Sequence, residues 1–171
     1  MSEQITLAGG CFWCTESVFI RVPGVLKSVS GYANGTKEHP TYEQVCTGTT
    51  GHAEVVQLTF DPEVISLKSL LELFFKAHDP TTLNRQGNDT GTQYRSGIYW
   101  TTEAQKAVAD EAKRSAQTKF DSPIVTEVLP LKAFYPAEDY HQDYFNKNPN
   151  QAYCRAVIPP KLKKLGLAFA G

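Results

Sequence analysis

The hydrophobic and polar positions in the first third of the chain follow strand and helix periods in turn. Short apolar or alternating runs predict strands at Ile5–Ala8, Val25–Tyr32 and Ala53–Phe60. A helix is predicted from Cys11 to about Arg21, because a glycine pair ends the strand before it and Pro23-Gly24 stops it. Residues 33–51 are rich in Gly, Thr and Pro and are predicted to form a loop.

The pattern continues with two more helices and two more strands. Ser66 is positioned to cap a helix whose apolar residues recur at helical spacing, namely Leu67, Leu70, Leu71, Phe74 and Phe75. After a polar loop over 78–92, Tyr94–Trp100 alternates as a strand, and Thr102 with Gln105 forms a capping box for a helix over 102–119. Ile124–Leu129 is predicted to be a further strand.

The order of these elements predicts an α+β fold. Residues 5–100 run β-α-β-β-α-β, the order of a ferredoxin-like (split β-α-β) mixed sheet with flanking helices. Residues 131–171 contain many aromatics and prolines but little periodicity, so we expect a long irregular C-terminal segment wrapped over the body. The whole chain, 1–171, suits a single catalytic domain.

Composition and charge narrow the class of protein. Hydrophobic residues make up 41% and charged residues 20%, as in soluble globular proteins. The net charge of −1 gives no reason to expect nucleic acid as a partner, and no apolar run is long enough to cross a membrane. With no sign of export, we expect a cytoplasmic protein whose four cysteines are thiols, and a monomer because there is no apolar excess.

Cys11 is the first candidate for chemistry. The preceding glycines let the backbone turn sharply and place Cys11 at a predicted helix start, where free N–H groups favour an anion. We therefore expect a lowered pKa and a nucleophilic thiolate. The alternative, a buried structural cysteine, would be preferred without the glycines and the helix start.

Cys14 lies three residues after Cys11, close enough to form a disulfide with it. Such a C-x-x-C pair indicates either redox chemistry or half of a zinc site. Zinc would need a second pair of ligands, but Cys46 and Cys154 stand alone, so no metal is expected.

Glu54 shares a face of its predicted strand with Val56, Leu58 and Phe60, because side chains alternate along a strand. A carboxyl buried on that apolar face without a cation has a raised pKa and can donate a proton near neutral pH. The residues alone leave open the alternative of a partly exposed glutamate at the strand end.

Aromatic residues surround these candidates. Phe12 and Trp13, beside Cys11, form an apolar wall suited to a small hydrophobic group, with core packing as the alternative. Tyr32, Tyr42 and Tyr94 lie in predicted loops or at strand ends, where a phenolic hydroxyl can bind a substrate oxygen.

Four segments together resemble the peptide methionine sulfoxide reductase A family. They are Gly10-Cys11-Phe12-Trp13, Gly51-His52-Ala53-Glu54, the run from Arg85 to Ser96, and Glu138-Asp139-Tyr140-His141-Gln142. The resemblance extends from about residue 5 to 155. It implies thiol-dependent reduction of the S epimer of methionine sulfoxide, free or in proteins, to methionine.

The resemblance also implies a role for each site residue. Cys11 attacks the sulfoxide sulfur, Glu54 protonates the oxygen, and Tyr42 and Tyr94 hydrogen-bond that oxygen. The remaining implied residues line the substrate pocket: Phe12 and Trp13 at the methyl group, with Asp89 and His141 nearby. No cofactor is implied, because thioredoxin or another dithiol acts as the external reductant.

The second half of the reaction needs a thiol that converts the Cys11 sulfenic acid to a disulfide. Many members of the family have Gly where this chain has Cys14, and use a C-terminal cysteine. This chain has both Cys14 and Cys154. We place Cys14 first, with Cys154 either relaying the disulfide outward or resolving directly, and Cys46 as a bystander.

Two other classes of function compete with this interpretation. One is a general thiol-disulfide oxidoreductase that uses Cys11 and Cys14, although it would not need Glu54 on an apolar face. The other is a small binding module with its cysteines in the core.

Overall fold

A computed structural model describes residues 2–167 of the chain. These residues form eight strands, whose bounds are β1 Glu3–Gly9, β2 Val25–Ala33, β3 Ala53–Phe60, β4 Arg85–Gln86, β5 Asp89–Thr90, β6 Ser96–Trp100, β7 Glu127–Pro130 and β8 Phe134–Pro136. The α-helices are α1 Phe12–Phe19, α2 Tyr42–Cys46, α3 Leu67–Ala77, α4 Glu103–Gln117, α5 Tyr144–Lys147 and α6 Ala152–Lys164. Short 3-10 helices lie at Thr92–Tyr94 and Asp139–His141.

Six of the strands form one mixed sheet in the order β7-β6-β1-β3-β2-β8. Adjacent strands within this sheet are antiparallel, except for β6 and β7, which are parallel. The strands β4 and β5 form a separate two-stranded hairpin. This mixed α+β architecture agrees with the predicted fold class.

The main core lies on one face of the sheet, under α1 and α3. Val56, Leu58 and Phe60 of β3 project into it, as the alternation predicted, and α3 buries the apolar face read from its sequence. Ser66 caps α3 by accepting from the Ser69 N–H at 3.1 Å. Burying a large apolar side chain contributes about 1.5–3 kcal/mol, so these faces hold the helices on the sheet.

Four predictions along the chain need correction. The predicted loop over 33–51 contains α2, which Thr41 and Gln44 begin with a complete capping box. The predicted strand at Tyr94–Trp100 starts only at Ser96, and the strand predicted at Ile124–Leu129 runs from Glu127 to Pro130. At α4, Thr102 caps the helix, but the Gln105 side chain accepts from Thr101 rather than from the cap.

The prediction of a long irregular C-terminal segment is wrong at residues 152–164, which form α6. Pro159 and Pro160 lie inside this helix and remove two backbone donors, which is why the sequence did not indicate it. The helix forms because Cys154, Ile158 and Leu162 share one face and are buried in the main core. The final residues, 168–171, lie outside the described part.

Candidate active site

The β1–α1 junction places Cys11 at the start of a helix, as predicted. Gly10 has a φ of +95°, and a Cβ there would lie 2.7 Å from Gln86, so this tight turn requires glycine. Cys11 is the N-cap residue of α1, and its carbonyl accepts from the N–H groups of Cys14 and Thr15. Its side chain is 9% exposed.

Glu54 reaches the same helix start from β3. Its Oε1 accepts from the Phe12 N–H at 3.2 Å, whereas Oε2 has no hydrogen-bond partner among the described residues. The side chain is 1% exposed, and burial raises the pKa of Glu54 to about 8, although the bond from Phe12 opposes this. Glu54 is therefore a buried acid that is protonated at neutral pH, and the alternative of a partly exposed glutamate is wrong.

The pKa of Cys11 differs from the expectation. A hydrogen bond with Cys14, burial and the charge of Glu54 raise the pKa of the Cys11 thiol well above its usual range. The Trp13 N–H lowers it, as a helix start should, but does not outweigh these three effects. Without substrate, Cys11 is a buried thiol rather than a thiolate.

Cys14 is the more acidic member of the pair. The hydrogen bond with Cys11 lowers the pKa of the Cys14 thiol to about 7, although burial acts to raise it. The charge of Lys161 and the hydrogen bond with Tyr153 also lower this pKa. Cys14 is 3% exposed. The structure thus joins the two thiols of the predicted redox pair by a hydrogen bond.

Cys154 lies in the first turn of α6 and is fully buried. Burial, and after it the charge of Cys14, raises the pKa of the Cys154 thiol to about 11, so the two sulfurs lie within electrostatic range. Cys46, at the end of α2, is exposed and shares a hydrogen bond with the Tyr42 hydroxyl. All four cysteines are free thiols.

Aromatic rings form a wall beside Cys11. Trp13 stacks on Tyr144 with ring centroids 4.0 Å apart and an angle of 9°, and its Nε1 donates to His141 Nδ1 at 3.0 Å. The His141 ring lies 5.2 Å from that of Phe12 and 4.3 Å from that of Tyr42. Phe12 is fully buried, and Trp13 is half-buried.

His141 offers a further donor to this wall. The ring is buried, and burial lowers its pKa, so the neutral form is favoured. Because Nδ1 accepts from Trp13, the ring proton belongs on Nε2, which has no hydrogen-bond partner within the described chain.

Tyr42 and Tyr94 lie within electrostatic range of the buried Glu54 carboxyl. Burial, and after it the charge of Glu54, raises the pKa of both hydroxyls above the usual tyrosine range, so both stay protonated. Glu138, in the C-terminal part of the chain, positions Tyr42, because the Tyr42 N–H donates to Glu138 Oε2 at 3.0 Å. Tyr32, the third tyrosine singled out, instead donates to Glu138 Oε1 at 2.8 Å.

Asp89 lies on the hairpin strand β5 and accepts a 2.5 Å hydrogen bond from the Tyr153 hydroxyl. Sequence reasoning missed Tyr144 and Tyr153, although both belong to the aromatic C-terminal segment next to His141 and Cys154. It also gave no role to Glu138, which binds Tyr32 and the backbone of Tyr42.

A cavity of about 910 Å³ lies elsewhere, between α3, α4 and α6, and its lining includes neither Cys11 nor Glu54. Among residues 2–167, no three His, Cys, Asp or Glu side chains are grouped so that they could hold a metal ion. Within the same range, no helix is long and apolar enough to cross a membrane.

Paired thiols, a buried acid and an aromatic wall together define a thiol-dependent oxidoreductase. The sequence matches the family described as peptide methionine sulfoxide reductase over residues 3–169. It is 57% identical over 162 residues to a peptide methionine sulfoxide reductase from Sulfolobus acidocaldarius, covering 95% of this chain and 92% of the relative. The chain therefore belongs to the peptide methionine sulfoxide reductase family and reduces methionine sulfoxide at the expense of thiols.

Solved structures show the same fold. The reduced form of Mxr1 from Saccharomyces cerevisiae is 43% identical, with a TM-score of 0.85 over 90% of this chain and 89% of that one. Mxr1 in complex with Trx2 is 33% identical, with a TM-score of 0.62 over 84% of each chain.

Proposed function

We propose that Cys11 and Glu54 carry out reduction of the S epimer of methionine sulfoxide, free or in proteins. The observation that carries this proposal is the buried Glu54 carboxyl, protonated at neutral pH, at the helix start that presents Cys11. A general thiol-disulfide oxidoreductase needs no such acid, so that alternative is not favoured. A sulfoxide oxygen, in contrast, leaves only when it is protonated.

The first step transfers oxygen from the substrate to Cys11. The Cys11 sulfur attacks the sulfoxide sulfur while Glu54 gives its proton to the oxygen. Oxygen passes to Cys11, methionine leaves, and Cys11 becomes a sulfenic acid, so the substrate sulfur gains the two electrons that Cys11 loses. The proton released by the Cys11 thiol restores the acid form of Glu54.

The surrounding side chains suit the two ends of a sulfoxide. The hydroxyls of Tyr42 and Tyr94 remain donors and lie within electrostatic range of Glu54, which supports a role in binding the oxygen. Phe12 and Trp13 are suited to the methyl group. Asp89 and the unpartnered His141 Nε2 are suited to the polar remainder of the substrate.

Cys14 is the proposed first resolving thiol. Its hydrogen bond with Cys11 and its lowered pKa support attack on the sulfenic acid, whereas burial and the charge of Cys14 raise the pKa of the Cys154 thiol to about 11. Cys154 then takes over the disulfide, and thioredoxin or another dithiol reduces it. The Mxr1–Trx2 complex supports thioredoxin as the partner.

The organisation of the chain is part of the same proposal. We assign β6-β1-β3-β2 to a ferredoxin-like core, supported by their order and antiparallel pairing. We propose that the chain acts as one catalytic domain, as a monomer, in the cytoplasm.

Thiol mapping after a single turnover tests the mechanism. With methionine sulfoxide and no reductant, we expect one methionine per chain and a Cys11–Cys14 disulfide by peptide mass. Cys11→Ser should release no methionine, while the control Cys46→Ser should behave like the parent. Full activity in Cys11→Ser would contradict the mechanism, and a Cys11–Cys154 disulfide with Cys14 free would overturn the order of the resolving thiols.

A further inference from the structure

A chain of two hydrogen bonds leads away from the proposed resolving thiol. The Cys14 thiol donates to the Tyr153 hydroxyl at 3.8 Å, and that hydroxyl donates to Asp89 Oδ2 at 2.5 Å. Cys14 is buried, whereas Asp89 is partly exposed. The bonds thus connect a buried sulfur to a carboxylate in contact with solvent.

We propose that Tyr153 and Asp89 remove the thiol proton of Cys14 while Cys14 attacks the Cys11 sulfenic acid. This inference rests on the proposed function, because it requires a sulfenic acid at Cys11. Tyr153 touches the reacting sulfur and is the catalytic residue of this step. Asp89 is a positioning residue that acts through it.

The step balances without any added reactant. The Cys14 sulfur bonds to the Cys11 sulfur, and the S–O bond breaks with its electron pair on oxygen. The Cys14 proton moves to Tyr153 Oη as the Tyr153 proton moves to Asp89. The departing hydroxide takes the proton of Glu54 and leaves as water, after which Asp89 loses a proton to solvent and Glu54 regains one.

Burial explains why Cys14 needs such a path. A buried thiol cannot pass its proton directly to water, and desolvation disfavours a free thiolate. In the resting protein the strongest support for the Cys14 thiolate is the hydrogen bond with Cys11. Once Cys11 is a sulfenic acid, that thiol donor no longer exists. The charge of Lys161 then remains as support for a thiolate, and the Tyr153 hydroxyl, which donates to Asp89, is placed to accept the Cys14 proton.

The relay also avoids a charged tyrosine. Burial, and after it the charge of Cys14, raises the pKa of Tyr153 above the usual range, so a phenolate there is disfavoured. Because Tyr153 gains one proton as it loses another, its hydroxyl stays neutral throughout. The ring is held independently of the hydroxyl, because it meets the Trp13 ring at an angle of 68° with centroids 6.3 Å apart. Tyr153→Phe therefore keeps the ring contact and removes only the relay.

Single-turnover kinetics separate the relay from the first step. In a Cys154→Ala background, where only Cys14 can resolve, methionine release and loss of free thiols are followed in parallel. For Tyr153→Phe we expect methionine release within about twofold of the parent and disulfide formation slowed by about 100-fold, as for loss of a general base. The rising limb of disulfide formation against pH should move up by about one unit.

A matched control and a second variant complete the test. Tyr135→Phe, on β8, should leave both rates unchanged. Asp89→Asn should slow disulfide formation, and Asp89→Glu should restore it. Equal slowing of both steps in Tyr153→Phe, or an unchanged disulfide rate and pH profile, overturns the relay.

Two further results remain decisive. If Tyr153→Phe does not fold, an Asp89→Asn rate of disulfide formation equal to the parent's overturns the relay instead. Failure of the proposed function looks different, because the Cys154→Ala parent would then release no methionine.

Discussion

Two regions meet at the active site, and they are held in different ways. The N-terminal start of α1 rests on backbone pairing: β1 is hydrogen-bonded between β3 and β6, and Glu54 of β3 accepts the Phe12 N–H. The C-terminal layer, residues 137–167, is attached largely by side chains. Gln142 both accepts from the Ser30 N–H and donates to the Ser30 carbonyl, each at 2.9 Å.

This difference matches the two halves of the reaction. The first step needs Cys11 and Glu54 at a fixed separation, which strand register and a central sheet position provide. The second half needs the buried Cys154 to become accessible, so its layer must open locally. A layer held by side-chain packing and side-chain hydrogen bonds, without strand pairing, opens locally at lower free energy than the centre of a sheet.

The largest expected effect lies in the sheet-based region. Glu54→Gln keeps the acceptor for the Phe12 N–H but removes the proton donor, so we expect kcat to fall by about 10²–10⁴-fold. In the parent, activity should decline as the pH rises through about 8, because the acid form of Glu54 is lost. Steady-state rates across pH check both points, and a variant that keeps this alkaline limb would rule out Glu54 as its source.

The same substitution should stabilise the fold. The pKa of Glu54 is about 8 in the folded protein, above its unfolded value of about 4.3, so its contribution to stability is present below pH 4.3 and is lost as the pH rises through 8. At pH 7 we expect Glu54→Gln to unfold with a free energy roughly 1–3 kcal/mol higher than the parent. Urea denaturation should show this gain shrinking at pH 5, and an equal gain at both pH values would contradict the burial of an acid.

A smaller effect is expected where the C-terminal layer is attached. Gln142→Ala leaves the buried Ser30 N–H without its side-chain acceptor, which costs about 1–3 kcal/mol of stability, whereas the Ser30 carbonyl keeps its bond from the Ala137 N–H. Alkylation of Cys154 should accelerate, while single-turnover methionine release at saturating sulfoxide stays within about threefold, because the β1–α1 junction is unchanged. Gln4→Ala, which removes one exposed bond to Thr59, is the control. If Cys154 alkylation is unaffected, Gln142 does not hold the layer closed.

The smallest effect concerns Glu16, which joins the two regions. This buried α1 residue accepts from the Ser30 hydroxyl at 3.1 Å and from the N–H groups of Asp143 and Tyr144. Burial raises the pKa of Glu16, so its contribution to stability is lost as the pH rises from its unfolded value through its folded value. Glu16→Gln should flatten that decline in thermal unfolding measured from pH 4 upward. If the unfolding temperatures of the parent and of Glu16→Gln fall in parallel as the pH rises, Glu16 is not the source of the decline.

Local rules predicted the elements that carry the first step. The glycine pair fixes the turn before Cys11, and the period of two places Glu54 on the apolar face of β3. Each of these two signals consists of residues that lie within a few positions of one another in the sequence. The capping box of α2 is an equally local signal, T-x-x-Q from Thr41 to Gln44, but it lies in a stretch whose Gly, Thr and Pro residues favour a loop prediction.

The sequence by itself determined that a cysteine starts a helix and that an acid lies on a buried strand face. Only the tertiary structure decided the acidity of the two thiols. The hydrogen bond between Cys11 and Cys14 has the largest effect on both pKa values and burial follows it. Distant residues then add to these effects, Glu54 of β3 at Cys11, and Lys161 and Tyr153 of α6 at Cys14. The tertiary structure also decided that residues 152–164 form a helix despite Pro159 and Pro160. Burial against the core outweighs the loss of two backbone donors, and such burial is a property of distant contacts that no local pattern contains.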